Sequence, residues 1–115
     1  MSITLPGTVG GSPGGGGIWI RNLITITKTG TMTARLTWTD PAARLQFVMG
    51  SGSDPLCASL NFCNLISTKA NSQYPNSSTS IAFDYAVTSG QTYALFTVNQ
   101  YSANSQAFTV IVTVP

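Results

Sequence analysis

From Ile18 onward the chain alternates apolar and polar residues with a period of two, and this pattern constrains the fold more than any other feature. Successive side chains of a strand point to opposite faces, so a period of two marks a strand with one buried face. Ile18, Ile20, Ile24 and Ile26 share a face, with Asn22 interrupting, and Trp19, Arg21, Leu23, Thr25 and Thr27 take the other. Thr29-Gly30 reads as a turn. Met32, Ala34, Leu36 and Trp38 then share a face, and Asp40-Pro41 ends that strand. Leu45, Phe47 and Met49 alternate with Arg44, Gln46 and Val48, and Leu65 to Thr68 adds a short strand. The pattern returns in Ile81 to Val87, in Tyr93 to Val98 and in Phe108 to Val114, with Ser89-Gly90 as a turn. No window pairs a 3.6-residue period with helix formers. Seven or eight short strands predict an all-β chain, an antiparallel, jelly-roll-like β-sandwich.

Residues 1–17 have a different composition. Ser2, Ile3, Thr4 and Leu5 form a short strand-like patch, and Pro6 to Gly17 holds seven glycines and two prolines. Such a stretch reads as a linker without a core of its own. The expected organisation is therefore a glycine-rich N-terminal arm over 1–17 and a sandwich domain over 18–115. Either the chain's own sandwich or a neighbouring chain would hold such an arm, and a short strand on a glycine-rich leash is suited to adding itself to the sheet edge of a neighbouring subunit.

Charge narrows the chemistry. Only 7% of the 115 residues are charged: five Lys/Arg and three Asp, with no Glu and no His. A Ser-His-Asp triad, a Cys-His pair and an imidazole metal site are all excluded. Asp40, Asp54 and Asp84 stand far apart in sequence, so paired-carboxylate catalysis has no support, and a non-enzyme is expected. Asp40 and Asp54 each precede a proline and read as turn residues rather than calcium ligands. No metal and no cofactor are expected. A net charge of +2 on scattered cations does not suggest nucleic acid, and no apolar run approaches the ~20 residues of a membrane-spanning helix. The opening Met-Ser-Ile-Thr-Leu-Pro-Gly lacks the basic start and apolar stretch of a signal peptide. A trimmed mature form, or export by another route, is the expectation.

Cys57 and Cys63 have five residues between them, in a loop-rich segment. They read as a local disulfide, which implies an oxidising compartment, or as two unrelated buried thiols. Two thiols without His cannot complete a zinc site.

The stretch Thr29 to Asp40, followed by Ala43-Arg44-Leu45-Gln46-Phe47-Val48-Met49, resembles the bacterial pre-peptidase C-terminal domain. The later strands, Ile81 to Val87, Ser89 to Tyr93 and Ala107 to Val112, are similar to that family's as well. The resemblance covers about residues 18–114. It implies a jelly-roll-like sandwich attached to secreted enzymes, related to the collagen-binding modules of collagenases. The implied role is binding or adhesion. The chain departs from the pattern at Gln46, where the family often has Asp.

Trp19, Tyr74 and Tyr101 fall off the main core stripe or in loops, and are the aromatics that could grip a polysaccharide or a matrix protein. Burial of Trp19 under the arm or in a subunit contact is an equal reading. Trp38, Phe83, Tyr85 and Tyr93 fall on the stripe and are expected in the core. The threonines at 25, 27, 29, 31, 33, 37 and 39 invite comparison with an ice-binding face, but a turn at Thr29-Gly30 and Arg35 interrupt the row. A solvated strand face explains them. Asn76-Ser77-Ser78 fits a glycosylation sequon and marks surface loop.

Two functions fit these residues. The first is an extracellular or virion-surface structural subunit that polymerises with like chains through Ser2–Leu5. The second is a secreted accessory module that binds polysaccharide or matrix protein. Low charge favours the first, since few charges guard the sheet edges.

Overall fold

The computed structural model describes residues 1–11, 17–70, 79–99 and 103–115. Among the described residues eight strands form in chain order: β1 Ser2–Val9, β2 Ile18–Thr25, β3 Gly30–Trp38, β4 Leu45–Ser51, β5 Leu65–Ala70, β6 Ser80–Val87, β7 Thr92–Asn99 and β8 Gln106–Thr113. One 3-10 turn, Pro55–Ala58, lies between β4 and β5.

The strands make two four-stranded sheets, ordered β1-β8-β3-β6 and β2-β7-β4-β5, and every pairing is antiparallel. β1 pairs with β8, β2 with β7, β3 with β6 and β4 with β5. That nesting is what a long antiparallel hairpin gives when it is wrapped into a barrel-like sandwich, the jelly roll. Sequence periodicity supplies the strands, and this wrapping brings distant ones together.

The main core lies between the sheets. Met32, Ala34 and Leu36 of β3, Val110 and Val112 of β8, Phe47 and Met49 of β4 and Leu95 of β7 are all fully buried in it. Phe47 and Phe83 meet across it, with ring centroids 5.1 Å apart. Tight burial of alternate residues fixes strand register, because a one-residue slip would turn the apolar set outward.

A second, smaller core covers the outer face of sheet β2-β7-β4-β5. Val48, Cys57, Ala94, Phe96 and Val98 are buried there, with Trp19, Leu60 and Cys63 packed against them. β7 is consequently buried on both faces.

The N-terminal strand is longer than the expected patch at Ser2–Leu5 and docks on the chain's own sandwich. The strand runs past Leu5 and through Pro6 and Gly7 to Val9, paired with β8 of the same chain from Ser2↔Thr113 to Val9↔Gln106. Val9 is fully buried in the main core, and Ile3 and Leu5 pack against it. β1 is an edge strand, which is where a sheet tolerates proline. Pro6 and Gly7 signal a linker locally, while burial of Val9 is decided by the far end of the chain.

Candidate functional site

β5 and β6 are the neighbouring edge strands of the two sheets. An open cleft of about 290 Å³ is lined by Ile66 of β5 and Tyr85 of β6, with Ser51 and Ser53 from the end of β4. Its remaining wall is Gly90, Gln91, Thr92 and Tyr93, where the chain turns from β6 into β7.

The turn is held both by its own residues and by the chain that follows β2. Gly90 has φ +93°, a backbone conformation that other residues rarely adopt. Gly90 N donates to Ile26 O at 2.7 Å, and Gln91 N donates to Thr88 O at 3.1 Å. Thr88 N donates to Gln91 Oε1 at 2.8 Å, which fixes the orientation of the side-chain amide. Oε1 therefore also accepts from the Tyr93 hydroxyl, at 2.8 Å. Both donors of Gln91 Nε2 are turned away from these two bonds.

Two tyrosines give the cleft its aromatic wall. Tyr93 is 5% exposed, whereas Tyr85 is 36% exposed at the mouth. Their rings meet edge to face, with centroids 6.0 Å apart, a geometry contributing about 0.5–1.5 kcal/mol. Burial, and secondarily the Tyr85 phenol, pushes the Tyr93 hydroxyl above its ordinary pKa, so it stays a neutral donor.

Opposite them, Ser51 Oγ and Ser53 Oγ lie 3.0 Å apart. Gly52 between them packs closely on both sides. Its N donates to Thr92 O at 2.8 Å. A β-carbon there would come 2.6 Å from Thr92 Cγ2 and 2.9 Å from Leu23 Cδ1. The serine pair is thus held against β7 by the backbone.

A stapled loop continues from this wall. Asp54 caps the 3-10 turn, its Oδ1 accepting from Leu56 N at 2.9 Å. Cys57 and Cys63 are joined by a disulfide. Arg21 Nε donates to Cys57 O at 2.8 Å and ties the loop to β2. Leu56 and Phe62 of this loop remain largely exposed, at 55% and 70%.

Of the aromatics expected to bind, Trp19 is half-buried in the second core, packed edge to face on Phe96 at 5.4 Å. Tyr74 and Tyr101, and the sequon at Asn76, lie outside the described residues. Ser2, Ile3, Thr4 and Leu5 belong to β1 and are paired within the chain. Asp40 accepts from Ala42 N at 2.9 Å, a local turn bond. Asp84 accepts from Thr33 Oγ1 at 2.6 Å on the outer face of its sheet. Among the described residues no group of three metal-ligating side chains occurs. The threonine row is divided, because β2 and β3 belong to different sheets.

Tyr85 is the residue that the sequence pattern assigns wrongly. It stands in phase with Ile81, Phe83 and Val87, which are buried. β6 is an edge strand, however, and its inward side chain at 85 opens onto the cleft beside Ile66. A phenol on an otherwise aliphatic and phenylalanine stripe is the signal that could have singled it out.

No protein-family model matches the chain, and no curated protein matches it. Solved structures do. The chain is similar to the pre-peptidase C-terminal domain of collagenase from Bacillus anthracis, at 16% identity and a TM-score of 0.58, over 98% of this chain and 90% of that one. It is similar to a periplasmic inhibitor of g-type lysozyme from Aeromonas hydrophila, at 15% identity and 0.60, over 99% and 86%. It is also similar to the C-terminal CBM6, a carbohydrate-binding module, of LamC from Zobellia galactanivorans, at 10% identity and 0.55, over 98% and 99%. The likeness is one of fold. It extends the resemblance seen in the sequence to several kinds of β-sandwich module.

Proposed function

We propose that this chain is a non-catalytic extracellular binding module whose Tyr85–Tyr93 cleft holds a segment of polysaccharide. The observation that carries this reading is the pairing of a half-exposed tyrosine with a hydrogen-bonded serine pair and an oriented amide in one cleft. An aromatic face carries negative charge, and the C–H edges of a pyranose ring carry slight positive charge, so the two pack together. Sugar hydroxyls both donate and accept, as do the serines opposite. An apolar wall with a few placed polar groups is the common form of a small-ligand site. The disulfide, and a fold similar to that of a periplasmic lysozyme inhibitor, support an extracellular or periplasmic setting.

Assembly through strand addition has less support. β1, the segment that would reach a neighbour, is already paired along its length with β8.

Affinity electrophoresis of the purified chain through gels carrying neutral and acidic polysaccharides tests the reading. At least one polymer should retard the protein, and Tyr85→Ala should abolish the retardation. Retardation unchanged in Tyr85→Ala would overturn the assignment of the cleft.

A further inference from the structure

From the cleft's lining we infer that its ligand is a neutral sugar unit, and that uronic acids and sulfated sugars are rejected. This inference rests on the binding reading above and sharpens it to a substrate class.

Among the described residues, no side chain lining the cleft carries a charge. The acids nearest in sequence are committed elsewhere. Asp84, beside Tyr85, holds Thr33 on the opposite face of β6, and Asp54, beside Ser53, caps its own turn. Donors and acceptors are nonetheless plentiful. Thr88 N and the Tyr93 hydroxyl occupy Gln91 Oε1, which leaves the two Nε2 donors for a ligand. Within the Ser51–Ser53 pair one hydroxyl donates to the other, so one O–H and several lone pairs stay open. A neutral sugar hydroxyl, donor and acceptor at once, satisfies both kinds of group. A carboxylate or sulfate would satisfy the donors only. It would also shed part of its hydration without meeting a cation among the described residues, which is unfavourable.

The volume agrees. About 290 Å³ lies at the small end of ligand sites and suits one or two sugar units rather than a long segment.

The chain's bulk electrostatics point the other way. With a net charge of +2 it attracts polyanions at long range. A preference for neutral glycans must therefore come from the cleft itself, and it survives at an ionic strength of about 0.15 M, where exposed charges are largely screened.

The experiment compares glucan, galactan and mannan with the same polymers oxidised to carboxylates at C6, by affinity electrophoresis at that salt. At least one neutral polymer should retard the protein, and its oxidised form should bind at least roughly tenfold more weakly. Ser53 is exposed, so Ser53→Lys is expected to fold, and it should restore binding to the oxidised polymer. Equal or tighter binding of the oxidised form by the unaltered chain would overturn neutral selectivity and leave the binding module standing. Failure of every polymer, neutral and oxidised, would overturn both.

Discussion

Gly50 lies so close to the disulfide that a β-carbon at position 50 would overlap Cys63 Sγ and stand 2.9 Å from Cys57 Sγ. The staple therefore sits directly on the β4 backbone, at the point where the β4–β5 register shifts between Met49 and Gly50. Loop and sheet are matched in shape there. Gly50→Ala should destabilise the protein by about 1–3 kcal/mol through overpacking. In a Cys57→Ala/Cys63→Ala background the same change should have a much smaller effect, a coupling that denaturant unfolding of the four proteins would measure. Equal effects in both backgrounds would mean that the sulfurs are not what Gly50 accommodates.

Thr97 Oγ1 is buried and has no hydrogen-bond partner among the described residues. It lies on β7, paired with Ile20 on one side and Phe47 on the other. A buried hydroxyl left unpaired is unfavourable by about 1–3 kcal/mol. Thr97→Val keeps the branched shape and removes the orphan, so it should raise stability by about 1 kcal/mol, read as an increase in the denaturation midpoint. A loss of stability would mean that the hydroxyl has a partner in solution.

Burial raises the Tyr93 pKa above 10.0 in the folded chain. The folded state thus holds the phenol proton where the unfolded state has released it. Stability is fully present below the unfolded value and falls as pH rises through the folded one. Wild type should lose stability above about pH 10 more steeply than Tyr93→Phe, in unfolding curves taken at stepped alkaline pH. Parallel curves would exclude Tyr93 as the source.

The sandwich was legible because strand periodicity is local. Ile24, Met32, Leu36, Phe47, Phe83, Val110 and Val112 all face inward as their spacing requires. Burial on the other face was less legible. Val48 and Phe96 look outward by phase, and are covered by a disulfide loop that periodicity does not reveal. The unbroken run Ala94-Leu95-Phe96 does carry that signal, since a strand buried on both faces reads as continuous apolar sequence. The cleft was hidden for a different reason. Tyr85 and Ile66 come from edge strands of opposite sheets, and only the wrapping of the jelly roll makes them neighbours. Val9, likewise, is separated from β8 by almost the whole chain.

That last separation gives a test of the N-terminal strand. Met1, Ile3 and Leu5 pack on the main core, and Val9 is fully buried in it. Burying Val9 alone contributes about 2 kcal/mol. The end of the segment is tied down too, since Asn99 Nδ2 donates to Gly10 O at 3.0 Å. Removing residues 1–9 should lower stability by more than about 3 kcal/mol, because it uncovers the core and leaves one edge of β8 unpaired. A synthetic peptide of residues 1–9 should restore the lost stability in a concentration-dependent way, since binding to the folded state alone raises the melting temperature. β1 would then be an integral strand of the sandwich that can be supplied from outside the chain, the property that strand exchange between copies would need. A truncated protein that melts like the full chain would show instead that β1 lies on the sheet without supporting it.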